Sequence, residues 1–359
     1  MKIIITGACA ISARSVLRSL RISEKFKDAE FVGWDMATTL YGLYEGLFDR
    51  LYKVPALTDP QYSSVVNKII QDEKPDGVIV VPEVEVLYWA ENKFDVPNFI
   101  PPFEFCRVAI SKKRLFEMLE RYDLVPASVH VFTKDILRTD YQPPFEYPLW
   151  IRDSSDGTAS GKGSCKANNL DELQAWAKLN ANMDQFQLSH FLSGGNYGVF
   201  CLFEKGVLKK LAIVERIEYI MAKIAVSGIT GNTSRGRMLN DACIRETALR
   251  AIKIICEKTD SVMNGMVVVD LKADDKNKPY VTEINIRHVS FSSSFAIAGF
   301  NLAEFHLLCT LGRGDEMSEN IEMIYPKNNL ILRDVDGFPI YVPDYKPLKM
   351  GECIVKKEY

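Results

Sequence analysis

Asp270 and Glu283 stand thirteen positions apart, one in each of two short apolar runs. The first run, residues 266–270, reads MVVVD, and the second, residues 279–287, reads PYVTEINIR. Successive side chains of a strand point to opposite faces, so Glu283, Asn285 and Arg287 share one face. The polar stretch ADDKNK between the runs reads as a turn. Two neighbouring strands then bring two carboxylates, an amide oxygen and a guanidinium to one spot. Hard oxygen ligands of this kind suit Mg²⁺, which takes one or two carboxylates and leaves its other positions to water and substrate phosphates. For any one of these residues alone, an ordinary hairpin with a polar outer face is the competing account.

A second group of residues has phosphate-handling chemistry. Residues 148–152 (PLWIR) form a strand ending in Arg152, and DSSDGTASGKGS follows at 153–164. A loop so rich in glycine and hydroxyl side chains exposes many backbone N–H groups and can cover phosphates. Its glycine spacing is wrong for the GxxxxGK(S/T) phosphate loop. Lys112, Lys113 and Arg114 fill the first turn of a helix that starts at Ser111. Cations there oppose the helix dipole, so they point to an anionic neighbour or a solvated face. Residues 228–237 (GITGNTSRGR) read as a second glycine- and hydroxyl-rich loop carrying Arg235 and Arg237.

These groups need a scaffold, and the opening third supplies one. Strands are expected at 2–6, 30–35, 76–81 and 97–100, and helices at 11–20 and 62–71. Alternation of this kind implies a parallel sheet covered by helices. GACAISA at 7–13 has one glycine where a dinucleotide fingerprint needs three, so the motif does not support a dehydrogenase. Pro82, Glu83, Val84 and Glu85 follow a strand directly and read as a loop where such sheets bind ligands, with Glu83 and Glu85 as candidate substrate contacts. Further on, 185–213 reads as paired strands around turns at 193–196 and 204–206. Helices are expected at 170–179, 241–257 and 302–311, and a hairpin at Asp336-Gly337.

Composition excludes several classes. The 359 residues carry a net charge of −3, so no global basic field favours nucleic acid. No apolar run is long enough for a membrane span, and MKIIITGA does not resemble a signal peptide. Eight scattered cysteines without a CxxC pair suggest reduced thiols in a cytoplasmic protein.

Taken in order, the glycine-rich loop and the EINIR strand resemble the ATP-grasp superfamily, in particular a synthetase module of the carbamoyl-phosphate synthase large chain. The resemblance covers roughly residues 1–312. It implies an α/β protein: a Rossmann-like pre-ATP-grasp domain at 1–105, then a two-lobed α+β ATP-grasp fold. The lobes fall at 106–185 and 186–312, and 313–359 form a C-terminal extension with a β-hairpin. It implies ATP with Mg²⁺ or Mn²⁺, the metal falling on Asp270, Glu283 and Asn285. Nucleotide contacts fall on Lys113, Arg152, the loop residues Thr158, Ser160, Gly161, Lys162 and Gly163, and His190. Arg287 would steady the transferred phosphoryl group. The basic loop contacts correspond loosely to Arg216, Thr230 and Arg235, and His288 is a candidate substrate contact.

The implied reaction joins a small-molecule carboxylate to an amine through an acyl phosphate, with ADP released. A homodimer through the N-terminal domain is the default expectation. One departure bears on this. Where the family carries hinge acids, this sequence has His190 and Asn196, and no acid lies between Asp184 and Glu204. That gap motivates a second reading, a non-catalytic nucleotide- or metabolite-binding protein on a degenerate ATP-grasp fold.

Overall fold

The computed structural model describes residues 1–37, 41–154, 163–224, 228, 230–334 and 348–355. The expected loop residues Thr158, Ser160, Gly161 and Lys162, and the Asp336-Gly337 hairpin, lie outside them.

The chain starts with strands β1 (Lys2–Thr6), β2 (Glu30–Asp35), β3 (Arg50–Lys53) and β4 (Gly77–Ile79), which pair in parallel in the order β3-β2-β1-β4. The β-branched runs are covered on both faces, as parallel sheets require. Ile4, Val32 and Val78 enter one core with Val66 and Ile69 of the helix Tyr62–Glu73. Ile3, Ile5, Phe31 and Ile79 enter another, against Ala13, Val16, Leu17 and Leu20 of the helix Ile11–Arg21. The helix Leu302–Thr310 packs on that same face through Ala303, Leu307 and Leu308, so a late segment seals the first sheet.

The next four strands form an antiparallel sheet in the order β5-β8-β6-β7. They are β5 (Ser128–Phe132), β6 (Leu149–Asp153), β7 (Cys165–Ala167) and β8 (Gln185–His190). Leu149, Ile151, Phe186 and Leu188 bury their side chains against Leu173 and Ala177 of the helix Leu170–Leu179. This sheet runs to His190, past the expected break at residue 185.

The six-stranded antiparallel sheet that follows has the order β13-β12-β9-β10-β11-β14. Its strands are β9 (Asn196–Glu204), β10 (Val207–Tyr219), β11 (Thr233–Leu239), β12 (Gly265–Ala273), β13 (Pro279–Asn285) and β14 (Ile331–Leu332). One face packs on Ile244, Ala248, Ile252 and Ile255 of the helix Ala242–Thr259. The other packs on Phe291, Phe295 and Phe305. Finally β15 (Cys353–Val355) pairs antiparallel with β3 on the edge of the first sheet.

Several expectations are corrected here. Residues 82–85 are not a loop: Pro82 caps a helix, Glu83–Glu91. Residues 97–100 supply a single bridge, Asn98 to Val78, instead of a strand. The turn at 193–196 does not join paired strands, because β8 and β9 belong to different sheets. Strand period hid this, since both segments alternate alike. Residues 233–237 lie in β11 and not in a loop. β3 was missed because RLYK carries only two apolar residues, and pairing rather than pattern makes it a strand.

Candidate active site

The site is built on the β12–β13 pair. Asp270 lies opposite Glu283, and the register then slips, so Thr282 has no partner across the pair. Such bulges bend a strand and re-aim what it carries. Here the Thr282 carbonyl accepts a hydrogen bond of 3.1 Å from Arg152 Nη1, while its hydroxyl donates to the Asp270 carbonyl at 3.1 Å. Asn285 Nδ2 is 3.4 Å from Asp270 Oδ2. Beyond the strand end, Arg287 Nη1 donates to the His288 carbonyl at 2.9 Å and to Ser12 Oγ at 3.3 Å. Asp270, Glu283, Asn285 and Arg287 all line one cavity of about 620 Å³.

Cations from three other elements line the same cavity. Arg152, at the end of β6, is almost wholly buried and stacks 4.4 Å from the centre of the Phe116 ring. Its Nε donates to Gln187 Oε1 at 2.6 Å, but its buried Nη2 has no hydrogen-bond partner. Burial pulls its pKa down to about 10 against the pull of Glu283. An ionised, buried donor with an unmet hydrogen is costly unless an anion meets it. Arg216 of β10 reaches Asp270 Oδ1 at 2.5 Å. Burial alone would lower its pKa, yet the charges of Asp270 and Tyr219 hold it above its usual value. Lys112 is buried, which lowers its pKa, with Glu283 acting the other way.

Apolar and neutral side chains also line the cavity. Trp150, Phe191 and Leu192 line it beside His190, Asn196 and Lys272. Lys272 Nζ donates to the Gly194 carbonyl at 2.9 Å, and the His190 ring lies 4.6 Å from that of Phe145. Gly228, Thr230, Gly231 and Asn232 line it as well.

Four expected site residues lie elsewhere. Lys113 is exposed, and its neighbour Lys112 holds the cavity position. Helix periodicity carries the signal: Lys112, Leu115, Phe116 and Leu119 form the buried stripe, which excludes Lys113. Arg235 is half exposed on β11, 3.4 Å from Glu218, and does not line the cavity. Glu85 is a core residue: Trp34 Nε1 donates to it at 2.8 Å and the Tyr62 hydroxyl also donates. Burial raises its pKa against those bonds and one from Thr6. His288 is buried too, its Nε2 3.0 Å from His306 Nδ1, away from the cavity.

Glu83 does face a cavity, a second one of about 280 Å³, and its Oε2 lies 3.9 Å from Arg287 Nη2. Gly163 takes a φ of +67°, where glycine is favoured, and its carbonyl accepts from Trp176 Nε1 at 2.8 Å. Sequence reasoning named Lys112 among the first-turn cations but put the phosphate contact on Lys113, and it missed Ser12, Glu218, Tyr219 and Lys272; all five, Lys112 included, line the larger cavity.

No family model and no curated protein matches the sequence. Solved structures match over most of the chain. An L-amino acid ligase from Bacillus licheniformis superposes with a TM-score of 0.62 at 16% identity, covering 89% of this chain and 77% of that one. N5-carboxyaminoimidazole synthetase from Staphylococcus aureus, complexed with ADP, gives 0.60 at 17%, covering 92% and 79%. Phosphoribosylamine–glycine ligase from Thermotoga maritima gives 0.60 at 14%, covering 89% and 77%. A protein of the ATP-grasp superfamily from Archaeoglobus fulgidus also matches, at 0.51 and 17%, covering 86% and 88%. The chain has the ATP-grasp fold, with a Rossmann-like α/β unit in front of it. Among the described residues no helix is long and apolar enough to cross a membrane.

Proposed function

We propose that this protein is an ATP-dependent ligase that activates a carboxylate as an acyl phosphate and joins it to an amine. One observation carries the reading. Two carboxylates and an amide on β12 and β13 share a single cavity with Lys112, Arg152, Arg216 and Arg287. Phosphoryl transfer is driven by positioning and charge neutralisation, so a cavity of this composition suits it without any protein nucleophile.

Asp270, Glu283 and Asn285 fit a divalent cation in donor type, all three offering oxygen. Mg²⁺ held there would neutralise phosphate charge during transfer. The chain's own cations do the rest. Arg152, with its unmet Nη2, would bind the phosphate chain from the β6 side, and Lys112 from the helix Lys112–Leu119. Arg287 would meet the γ-phosphoryl group as a carboxylate oxygen attacks phosphorus and the bond to the β-phosphate oxygen breaks, its electron pair leaving with ADP. An amine nitrogen then attacks the carbonyl carbon, phosphate departs with the C–O electron pair, and nitrogen loses a proton. Trp150, Phe191 and Leu192, the apolar part of the lining, would hold the base.

A non-catalytic nucleotide-binding protein is the second reading, favoured by the lack of any acid between Asp184 and Glu204. Calorimetric titration of ATP, with and without Mg²⁺, is the first test. Micromolar binding that needs Mg²⁺, followed by ADP release with a carboxylate and an amine, is expected. Binding that ignores Mg²⁺ would sink the metal assignment, and Mg²⁺-dependent binding with no ADP release across a broad substrate set would favour the second reading.

A further inference from the structure

The second cavity meets the first at a shared mouth. Ser12, Lys112, Glu283 and Arg287 line both. If the phosphoryl group is transferred at the Arg287 end of the first cavity, whatever sits in the second has its reacting atom at that mouth. The inference therefore rests on the ligase reading for the position of the transferred group.

The chemistry of the smaller space is specific. Its volume of about 280 Å³ is too small for a nucleotide and suits a compact ligand. Val81, Pro82, Ala109 and Ile284 give it a mainly apolar wall. Two cations, Lys112 and Arg287, stand at the mouth, and one further carboxylate, Glu83, lies in the wall. Glu83 is held in place: it opens the helix Glu83–Glu91 and accepts a backbone hydrogen bond from Ile286. Its side chain keeps only 17% of its surface, and Arg287 at 3.9 Å is at the limit of an ion pair. Arg287 spends its Nη1 on Ser12 and on the His288 carbonyl. Burial raises the Glu83 pKa although Arg287 opposes this, and the neighbouring Glu283 carboxylate adds to the rise.

We propose that the second cavity binds a small apolar α-amino acid as a zwitterion. Its carboxylate lies at the mouth between Lys112 and Arg287, its ammonium meets Glu83, and its side chain lies on the apolar wall. The amino acid is thus the carboxylate that becomes activated: one of its oxygens attacks the γ-phosphorus and ADP leaves with the bridging electron pair. Lys112 and Arg287 are matched in number by Glu83 and Glu283, so a plain carboxylic acid would add an unbalanced negative charge to the cavity and a plain amine an unbalanced positive one, whereas a zwitterion adds none.

The test is calorimetry on the full chain with Mg²⁺ and a non-hydrolysable ATP analogue, and again without the analogue. L-alanine, L-valine and L-leucine are each compared with the acid lacking the amino group (propionate, 3-methylbutanoate, 4-methylpentanoate). Each is also compared with the amine lacking the carboxylate (ethylamine, isobutylamine, isopentylamine). At least one amino acid should bind about tenfold or more tightly than both its analogues, the margin of one charged hydrogen bond. Glu83→Gln, which keeps shape, should erase the margin over the deaminated acid while that acid still binds. Amino acids binding no better than their analogues, or a margin that survives Glu83→Gln, would overturn the proposal. Binding of the ATP analogue is read in the same experiments. Analogue binding without amino-acid preference sinks only the pocket assignment, and amino-acid preference without analogue binding sinks the ligase reading and the activation step with it, leaving the amino-acid pocket.

Discussion

Arg216 Nη2 reaches Asp270 Oδ1 at 2.5 Å although β10 and β12 are not neighbours: β9 runs between them. The guanidinium passes over Gly198, which pairs with Asp270 on one side and Val214 on the other. A methyl group at Gly198 would stand 2.8 Å from that Nη2. The missing side chain is what lets one strand's arginine orient the carboxylate of a strand two places away.

Gly198→Ala should therefore move the guanidinium, which is the flexible end of a long side chain, and release Asp270. The expected cost in stability is about 1–3 kcal/mol, the range for overpacking. ADP release should fall about tenfold or more, and more Mg²⁺ should be needed for half-maximal rate. Unchanged Mg²⁺ dependence would show that the Arg216 contact does not position Asp270.

Asp270→Asn and Glu283→Gln separate the metal role from the structural one. Metal-ion charge stabilisation is worth several kcal/mol, so each should lower turnover on the order of 10³-fold. Only Asp270→Asn also breaks a direct ion pair with a nearly buried arginine, Arg216, and breaking such a pair is costly. Its melting temperature should drop well below that of Glu283→Gln. Equal melting temperatures, or full activity in both, would contradict this division.

Much of this site could be read from local pattern. The β12–β13 hairpin announced itself because alternation and a polar turn both survive in one short stretch. Arg152 was visible as the polar end of an apolar strand. What stayed hidden depends on contacts between distant segments. Glu83 and Glu85 look equivalent in sequence, but two residues of a helix point to different sides, so one reaches a cavity and the other Trp34. Ser12 joins the site only because Arg287 lies across from the start of the helix Ile11–Arg21. β15 is legible only once β3 offers it an open edge.

The lysine pair gives a direct check on that lesson. Lys112 lies on the buried stripe of its helix and Lys113 on the exposed side. Lys112→Ala should weaken ATP binding by a charged contact, about 1.5–3 kcal/mol or roughly 10- to 150-fold. Lys113→Ala should bind ATP within a factor of about two of wild type. The reverse order would restore the expectation made from sequence.

The buried imidazole pair predicts how stability depends on pH. The Phe99 carbonyl can only accept, so His306 Nε2, 2.6 Å away, carries a proton. His306 Nδ1 then accepts from His288 Nε2 at 3.0 Å, and His288 Nδ1 faces Ser292 Oγ at 3.0 Å. Burial favours the neutral form of both rings. Burial lowers the His306 pKa from 6.5 to about 4, and burial, with repulsion from His306 once that ring is protonated and from Arg287, lowers that of His288 well below 6.5. Because the folded state binds the proton less readily than the unfolded chain, the pair costs nothing above about pH 6.5. The cost appears as pH falls through 6.5 and stops growing below the folded value, where His306 alone accounts for about 3 kcal/mol. At about pH 5 its share is about 2 kcal/mol. Glu83 and Glu85, with raised pKa values, act in the opposite sense, so wild type alone would mix the two effects. Denaturant melts of wild type and His306→Gln at about pH 7.5 and about pH 5 isolate the histidine. The variant should be less stable at the higher pH, where the hydrogen-bonded chain is lost, and should lose about 2 kcal/mol less on acidification. Equal losses in the two proteins would mean that the pair is not held neutral.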